Sequence, residues 1–503
     1  MSAAPKRTFK VRFASGSKYQ KAIESRGHET PSCRISLPSH SNPHCKETPK
    51  PQRTKSRLGC LECRIRRVKC DETFPVCLRC QRRGSVCMAS NRPARWRIEM
   101  PWLSNMAFLN SWPVDNPPNK RLVQYWVEQV SQGLCIDKDY NPLALPLLPY
   151  MVASPSLLHA IQSISAGHEV FFNDRDLALC LQERGHSMRL VREELQVQDS
   201  ETISVTSLLT IFLLGVSSSW IDSGPESSWG KEHLDGARAL IKVIMASPRN
   251  MARSSNEADP LIQLLHGWFL YWDMTCSILD DPDNVLNQGI PTFGQDPDCF
   301  HPMIGFSSEL YSKVADIGRH CRRLYDGGHA DPGFDDRETE RQLLAWSPTR
   351  GDRYIRDLSC AYRNHGLLML YESRHLVESS ETFATFDTPH GQDQNENEPA
   401  SESTVRSLAL KTIESMLETP LTEPCVNYQS LPLLSAAAEL TSADTDLRNE
   451  VISRFKALYS LARFPIYMRS VELLEELWSL RDCGLGVSWL DLSLTKGWKL
   501  CYS

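Results

Sequence analysis

The chain lacks the long apolar run that a membrane span needs. Its least charged stretch, Ile203–Ile221 (ISVTSLLTIFLLGVSSSWI), contains seven Ser or Thr, and its continuous apolar run is only Ile211–Val216. A span takes about 20 predominantly apolar residues. The expectation is a buried helix and no membrane partner. The start, MSAAPKRTFKVRF, has no apolar core of about 7–15 residues and is not a secretory signal. No GxSxG, HExxH, GxGxxG or Walker loop occurs, so the chain does not read as an enzyme. Acidic residues are scarce at the start: residues 1–97 hold 6 Asp or Glu against 23 Lys or Arg, whereas the remainder holds 55 against 33. Such a split points to a basic arm that meets a polyanion and an acidic body that does not.

What remains is ordinary globular material. The 503 residues are 41% hydrophobic and 23% charged, room for roughly two to four domains. Residues 1–56 are rich in Ser, Pro, His and Lys and show no apolar period, so a disordered basic arm is expected. Residues 57–88 hold a dense cysteine cluster. Residues 89–118 contain five prolines and read as a linker. They carry no run of heptads, so no coiled-coil dimer is expected there.

Residues 119–503 read as an all-helical domain, which makes the chain mostly α. Leu122, Tyr125, Trp126 and Val130 fall at helical spacing, and Ser154-Pro155 is a helix start. Further helices are expected at 176–195, 204–217, 231–246, 260–279, 308–325, 353–377, 404–418, 447–462 and 468–481. The polar, acidic segment near 379–403 reads as a disordered insert. Trp268, Trp272, His168 and His233 read as core or capping residues.

The chemistry sits in RLGCLECRIRRVKCDETFPVCLRCQRRGSVCM (57–88). Of 17 cysteines, an odd number without a secretory signal, six have regular spacing: Cys60, Cys63, Cys70, Cys77, Cys80 and Cys87. They form one unit written twice, CLECRIRRVKC and CLRCQRRGSVC. Each unit opens with C-x2-C, the spacing that lets two thiolates grip one metal. Three sulfurs do not complete a tetrahedron. Six fill two tetrahedral Zn²⁺ sites only if two are shared, and the repeat makes the first cysteines, Cys60 and Cys77, the equivalent pair. Six thiolates and two Zn²⁺ leave a charge of about −2, offset by neighbouring arginines. A single four-cysteine site of Cys60, Cys63, Cys77 and Cys80 would leave the repeated third cysteine unused. Cys33, His40, His44 and Cys45, in the basic arm, read as free.

The segment resembles the fungal binuclear zinc cluster (Zn2Cys6) DNA-binding domain, in its six cysteines, the basic run Arg64, Arg66, Arg67, Lys69, and Pro75. The resemblance implies two Zn²⁺ ions with Cys60 and Cys77 bridging. It implies a loop proline, often cis, at Pro75, and a base-reading position at Arg67, where the family commonly has Lys. The body resembles the fungus-specific regulatory domain that accompanies such clusters. This rests on NPLALPLLPYMVASPSLLHAIQSISAGH (141–168), the uncharged helix after Ser204, and HLDGARALI (233–241).

The implied protein is a nuclear, sequence-specific regulator of RNA polymerase II genes. It would read CGG half-sites in double-stranded DNA and work with the transcription machinery, in a metabolic or secondary-metabolite pathway by the family's habit. The residue chemistry agrees independently. A short helix presenting Arg64, Arg66, Arg67 and Lys69 suits the major groove, where Arg and Lys pair with guanine O6 and N7. Arg57, Arg79, Arg82 and Arg83 are placed for phosphates. Arg92, Arg95 and Arg97 around Trp96 read as a linker anchor. Monomer and homodimer through the helical body both stay open. The competing reading is a zinc-dependent scaffold or enzyme with a non-specific nucleic-acid-binding arm.

Overall fold

The computed structural model describes residues 59–73, 75–88, 117–137, 139, 141–173, 177–197, 204–221, 229–246, 260–284, 286, 300–327, 333–384 and 402–502. The arm 1–56, with Cys33, His40, His44 and Cys45, lies outside them. So do Arg57, the linker apart from its last residues, and most of the 379–403 insert.

Two short helices, α1 (Leu61–Ile65) and α2 (Leu78–Arg83), belong to the cysteine segment. The body begins with α3 (Lys120–Tyr125), which runs on through a π turn, Trp126–Val130, and a 3-10 turn, Ser131–Leu134. Then come α4 (Leu148–Ala153), α5 (Pro155–Asn173), α6 (Ala178–Val197), α7 (Val205–Val216), α8 (Ser218–Ile221), α9 (Lys231–Ala246) and α10 (Pro260–Cys276). The second half holds α11 (Ser308–Tyr325), α12 (Asp336–Ala345), α13 (Arg353–Ala384), α14 (Glu402–Glu418), α15 (Ser430–Ala438), α16 (Thr445–Ala462), α17 (Pro465–Asp482) and α18 (Trp489–Thr495). Among the described residues there is no strand, only an isolated bridge between His301 and Gly305.

The expected helices are present, with shifted ends. The span 353–377 runs on to Ala384, and the next helix starts at Glu402, so both margins of the expected insert are helical. Helices α4, α8, α12, α15 and α18 are additions to the sequence reading. The uncharged stretch after Ser204 is α7, capped by the Ser204 hydroxyl and buried from Ser207 to Val216. No helix among the described residues is long and apolar enough to cross a membrane.

The body's core is aromatic. Phe212 on α7 meets Trp268 and Trp272 on α10 edge-on, with centroids 5.7 and 5.3 Å apart. Gly215 permits this approach, because a Cβ there would run into the Trp272 ring. Tyr271, Tyr311, Tyr362 and Tyr428 form a second nest, and the Tyr271 hydroxyl donates to the Tyr502 carbonyl at 2.8 Å, fastening the chain's last residues to α10. Arg238 on α9 is fully buried and paired with Asp273 (2.6 Å) and Asp280 (2.5 Å). Asp235 pairs with it as well, at 3.0 Å, so the buried guanidinium is compensated by three carboxylates.

Helix α16 positions the site. Its entry is a capping box of Thr441 and Asp444, and Arg406 on α14 grips the Asp444 carboxylate at 2.6 and 2.9 Å. Arg454 donates to the last carbonyls of α14, including Leu417 (3.0 Å), and to Thr419 (2.6 Å). Arg448 pairs with Asp482 on α17 at 2.7 Å. The helix ends at Arg463, in left-handed conformation with φ 61°. It is thus anchored at both ends and on one flank before it meets the cysteine segment.

Candidate metal centre and nucleic-acid interface

The two cysteine units fold as they repeat. The Cys60 sulfur accepts the Cys63 N–H at 3.4 Å and caps α1; the Cys77 sulfur accepts the Cys80 N–H at 3.4 Å and caps α2. Both helices close alike. Val68 N–H reaches the Cys63 carbonyl and Arg67 N–H that of Arg64; Ser85 N–H reaches Cys80 and Gly84 N–H reaches Gln81, at 3.0–3.1 Å. This paired closure needs a left-handed residue, and the two are Arg67 (φ 57°) and Gly84 (φ 59°). Asp71, between the units, accepts N–H bonds from Leu78 (2.9 Å) and Arg79 (3.2 Å) at the start of α2. Burial raises its carboxyl, but these bonds and the Thr73 hydroxyl outweigh it and hold the group at about 2. Pro75 is half-buried in the same loop, beside buried Val76. Leu61 N–H donates to the Met88 carbonyl and ties the end of the second unit to the start of the first.

All six sulfurs are buried, and they fall into two tetrads: Cys60, Cys63, Cys70, Cys77 and Cys60, Cys77, Cys80, Cys87. Cys60 and Cys77 belong to both, the pair that the sequence repeat singles out. Sulfur separations are 3.8 Å for Cys60–Cys77, 3.7 Å for Cys60–Cys80 and 3.8 Å for Cys63–Cys77. A tetrahedron with metal–sulfur bonds of about 2.3 Å has edges of about 3.8 Å, so the residues fit zinc. Burial and the adjacent sulfurs push the Cys63 and Cys80 thiols well up; burial lifts Cys87 to about 12, against the hydrogen bond from Cys77 N–H.

The basic residues sit outside the knot. Arg64, Arg66, Arg67, Lys69, Arg79, Arg82 and Arg83 are all exposed. Arg66 pairs with Glu62 one turn away on α1. Ile65, at 66% exposed, and Val68 stand among them, so the α1 surface is cationic and uncovered by the body. The structure thus brings the sequence-selected cysteines together and keeps the described cations on the outside.

Three contributors have no sequence signal strong enough to find them. Asp71 reads as an ordinary loop acid. Ser460 and Arg463 come from the body: Cys87 N–H donates to Ser460 Oγ at 2.8 Å, and Arg463 Nη2 donates to the Cys87 carbonyl at 3.1 Å. Ala457 and Leu421 add apolar contact with the knot.

The described residues thus form a short zinc-fitting double knot with an external basic helix, set on an all-helical body. The chain matches the fungal specific transcription factor domain over residues 121–503 and the fungal Zn(2)-Cys(6) binuclear cluster domain over residues 58–97. It belongs to the fungal Zn(2)-Cys(6) transcription factors. It is similar to the Zn(2)-C6 fungal-type transcription factor afumD of Aspergillus fumigatus, 29% identical over 184 residues, 33% of this chain and 48% of that protein. The transcriptional regulatory protein moc3 of Schizosaccharomyces pombe is 50% identical over 46 residues, 9% of each chain. The aspercryptin biosynthesis cluster-specific transcription regulator atnN of Emericella nidulans is 51% identical over 49 residues, 10% of this chain and 8% of that one. The chain spans about half the length of the first of these relatives and about a tenth of the other two. No solved structure matches it. Members of that family are zinc-binding, DNA-binding transcription regulators, nuclear in general and not enzymes. The scaffold-or-enzyme reading is thereby set aside.

Proposed function

We propose that the chain is a nuclear, sequence-specific regulator of RNA polymerase II genes that holds two Zn²⁺ ions. Cys60, Cys63, Cys70 and Cys77 hold one ion; Cys60, Cys77, Cys80 and Cys87 hold the other, with Cys60 and Cys77 bridging. The observation that carries this reading is the tetrahedral-edge spacing of sulfurs shared between two buried tetrads. The metals would fix the knot and take no part in contacting bases.

Helix α1 would enter the major groove. Arg67 would face guanine O6 and N7, with Arg64, Arg66 and Lys69 beside it, so that a CGG half-site is read. Arg57, Arg79, Arg82 and Arg83 would neutralise phosphates. Pro75 would hold the loop between the halves. The acidic body is kept off DNA by its charge and is the part that meets the transcription machinery. The likeness to a cluster-specific regulator of aspercryptin biosynthesis supports control of a metabolic or secondary-metabolite pathway. A homodimer, if formed, would use the helical body.

The test is competition between duplexes. The full chain is expected to prefer a CGG-containing duplex to a scrambled one by about 10³-fold or more. Equal affinity for the two would overturn sequence-specific reading.

A further inference from the structure

The cysteine knot does not project freely from the body. Its second half lies on α16. Gly84, which ends α2, abuts Ser453, and any Cβ at Gly84 would collide with the Ser453 side chain. Three residues further along the chain, Cys87 is held at both backbone polar groups. Its N–H donates to Ser460 Oγ at 2.8 Å, and its carbonyl accepts from Arg463 Nη2 at 3.1 Å. Both body residues are buried and fixed in turn. The Ser460 hydroxyl donates to the Lys456 carbonyl at 2.7 Å, and the Arg463 guanidinium lies 5.3 Å from the Tyr459 ring centroid. The docked face therefore belongs to the tetrad that contains Cys80 and Cys87. The α1 face, with Arg64, Arg67 and Lys69, remains exposed.

We propose that Ser460 and Arg463 are positioning residues of the metal centre: they clamp the Cys87 arm, so that retention of the ion held by Cys60, Cys77, Cys80 and Cys87 depends on docking of the body. Cys87 is the last cysteine of the knot, and the chain beyond it leads into the linker. Without the clamp, this sulfur is the one that peels away when the segment frays, opening one tetrahedron and leaving the other closed. Arg463 also brings a buried positive charge beside a cluster whose net charge is about −2. Groups that orient a metal ligand commonly change metal retention by about 10–100-fold when removed. A second consequence is that cluster and body approach DNA as one unit.

The inference rests on the two-zinc reading, and the experiment separates the two. The full chain is first assayed for bound zinc, and zinc release to a chromogenic chelator is then followed in the full chain and in Ser460→Ala, Arg463→Ala and Arg463→Lys. Fewer than two ions per wild-type chain would defeat the two-zinc reading and the clamp with it. Given two ions, Ser460→Ala and Arg463→Ala are each expected to release one ion at least 10-fold faster and to leave the other within 2-fold of wild type. Arg463→Lys, which keeps the charge and a donor, should recover part of the loss. Glu450→Ala, at an exposed position of the same helix, should leave both rates unchanged. Hydrogen exchange supplies a readout independent of the metal: the Cys87 amide should exchange at least 10-fold faster in Ser460→Ala. The clamp is overturned if both ions accelerate together, if Glu450→Ala has the same effect, or if release and Cys87 exchange stay at wild-type rates.

Discussion

Arg67 and Gly84 occupy the same position in the two halves of the cysteine knot, seventeen residues apart in the sequence, and both have left-handed backbone, at φ 57° and 59°. Glycine adopts that conformation without steric cost. An arginine there costs about 1–2 kcal/mol. The half against the body uses the glycine, and the half with the exposed basic face bears the strain. Strain kept at one of two equivalent positions agrees with the base-reading role proposed for Arg67.

Arg67→Gly is therefore expected to stabilise the zinc-loaded knot by up to about 1 kcal/mol while removing base discrimination. Arg67→Ala should cost about 1–3 kcal/mol at a single guanine position. Binding to a panel of duplexes with each base of the CGG triplet replaced, alongside chemical denaturation, measures both. A uniform loss on every duplex would reduce Arg67 to a phosphate contact.

Phosphate contacts have a different signature. Each releases counterions and contributes about 0.9 to the slope of log affinity against log salt. Arg82→Ala or Arg83→Ala should lower that slope by about one and weaken all duplexes alike. An unchanged slope would remove these residues from the interface.

At Gly84 two independent constraints coincide, positive φ and the Ser453 side chain. Gly84→Ala should lose about 1–2 kcal/mol from the backbone alone, with a further loss as the knot shifts off α16. Pairing it with Ser453→Gly should restore the second part and not the first. Denaturation of the two variants followed by zinc release gives the comparison; full restoration would mean that the backbone carries no strain.

The body carries its own pH dependence. Burial lowers His301 to about 4, against its hydrogen bonds to the Leu264 and Gln263 carbonyls; burial lowers His365 to about 3; burial and the Arg184 charge lower His233 to about 4. A histidine near 6.5 when unfolded and lower when folded favours the unfolded chain as it protonates. Its stabilisation is whole above pH 6.5 and is lost as pH falls toward 4, at about 1.4 kcal/mol per unit per group. Between pH 7.5 and 5.5 these three should together remove about 3–4 kcal/mol, and Glu372, which burial raises to about 7, should return about 2 kcal/mol, for a net loss of about 2 kcal/mol. Urea denaturation followed by the fluorescence of the buried tryptophans reads the body and not the zinc. Stability that stays level over this range would contradict the burial of these rings.

How much of this was legible in the sequence depends on how local each signal is. The knot is local: its spacing is repeated within a few dozen residues, and the repeat itself picks Cys60 and Cys77 as the shared pair. Helices with one apolar stripe, such as α11, show their period. Helix α15 shows none, because all nine residues of SLPLLSAAA are buried and no polar face marks a repeat. Helix α12 fails in the opposite way: only Leu343 is buried in a run dominated by charge. The Ser460 and Arg463 contacts lie 373 and 376 residues from Cys87. Nothing periodic connects such distant positions, and only the packed body brings them together.

X-ray absorption at the zinc edge of the purified full chain addresses the metal centre most directly. The account predicts two zinc ions per chain, four sulfur neighbours at about 2.3 Å around each, and a second zinc as the nearest heavy scatterer. One ion per chain, or nitrogen and oxygen among the ligands, would contradict it.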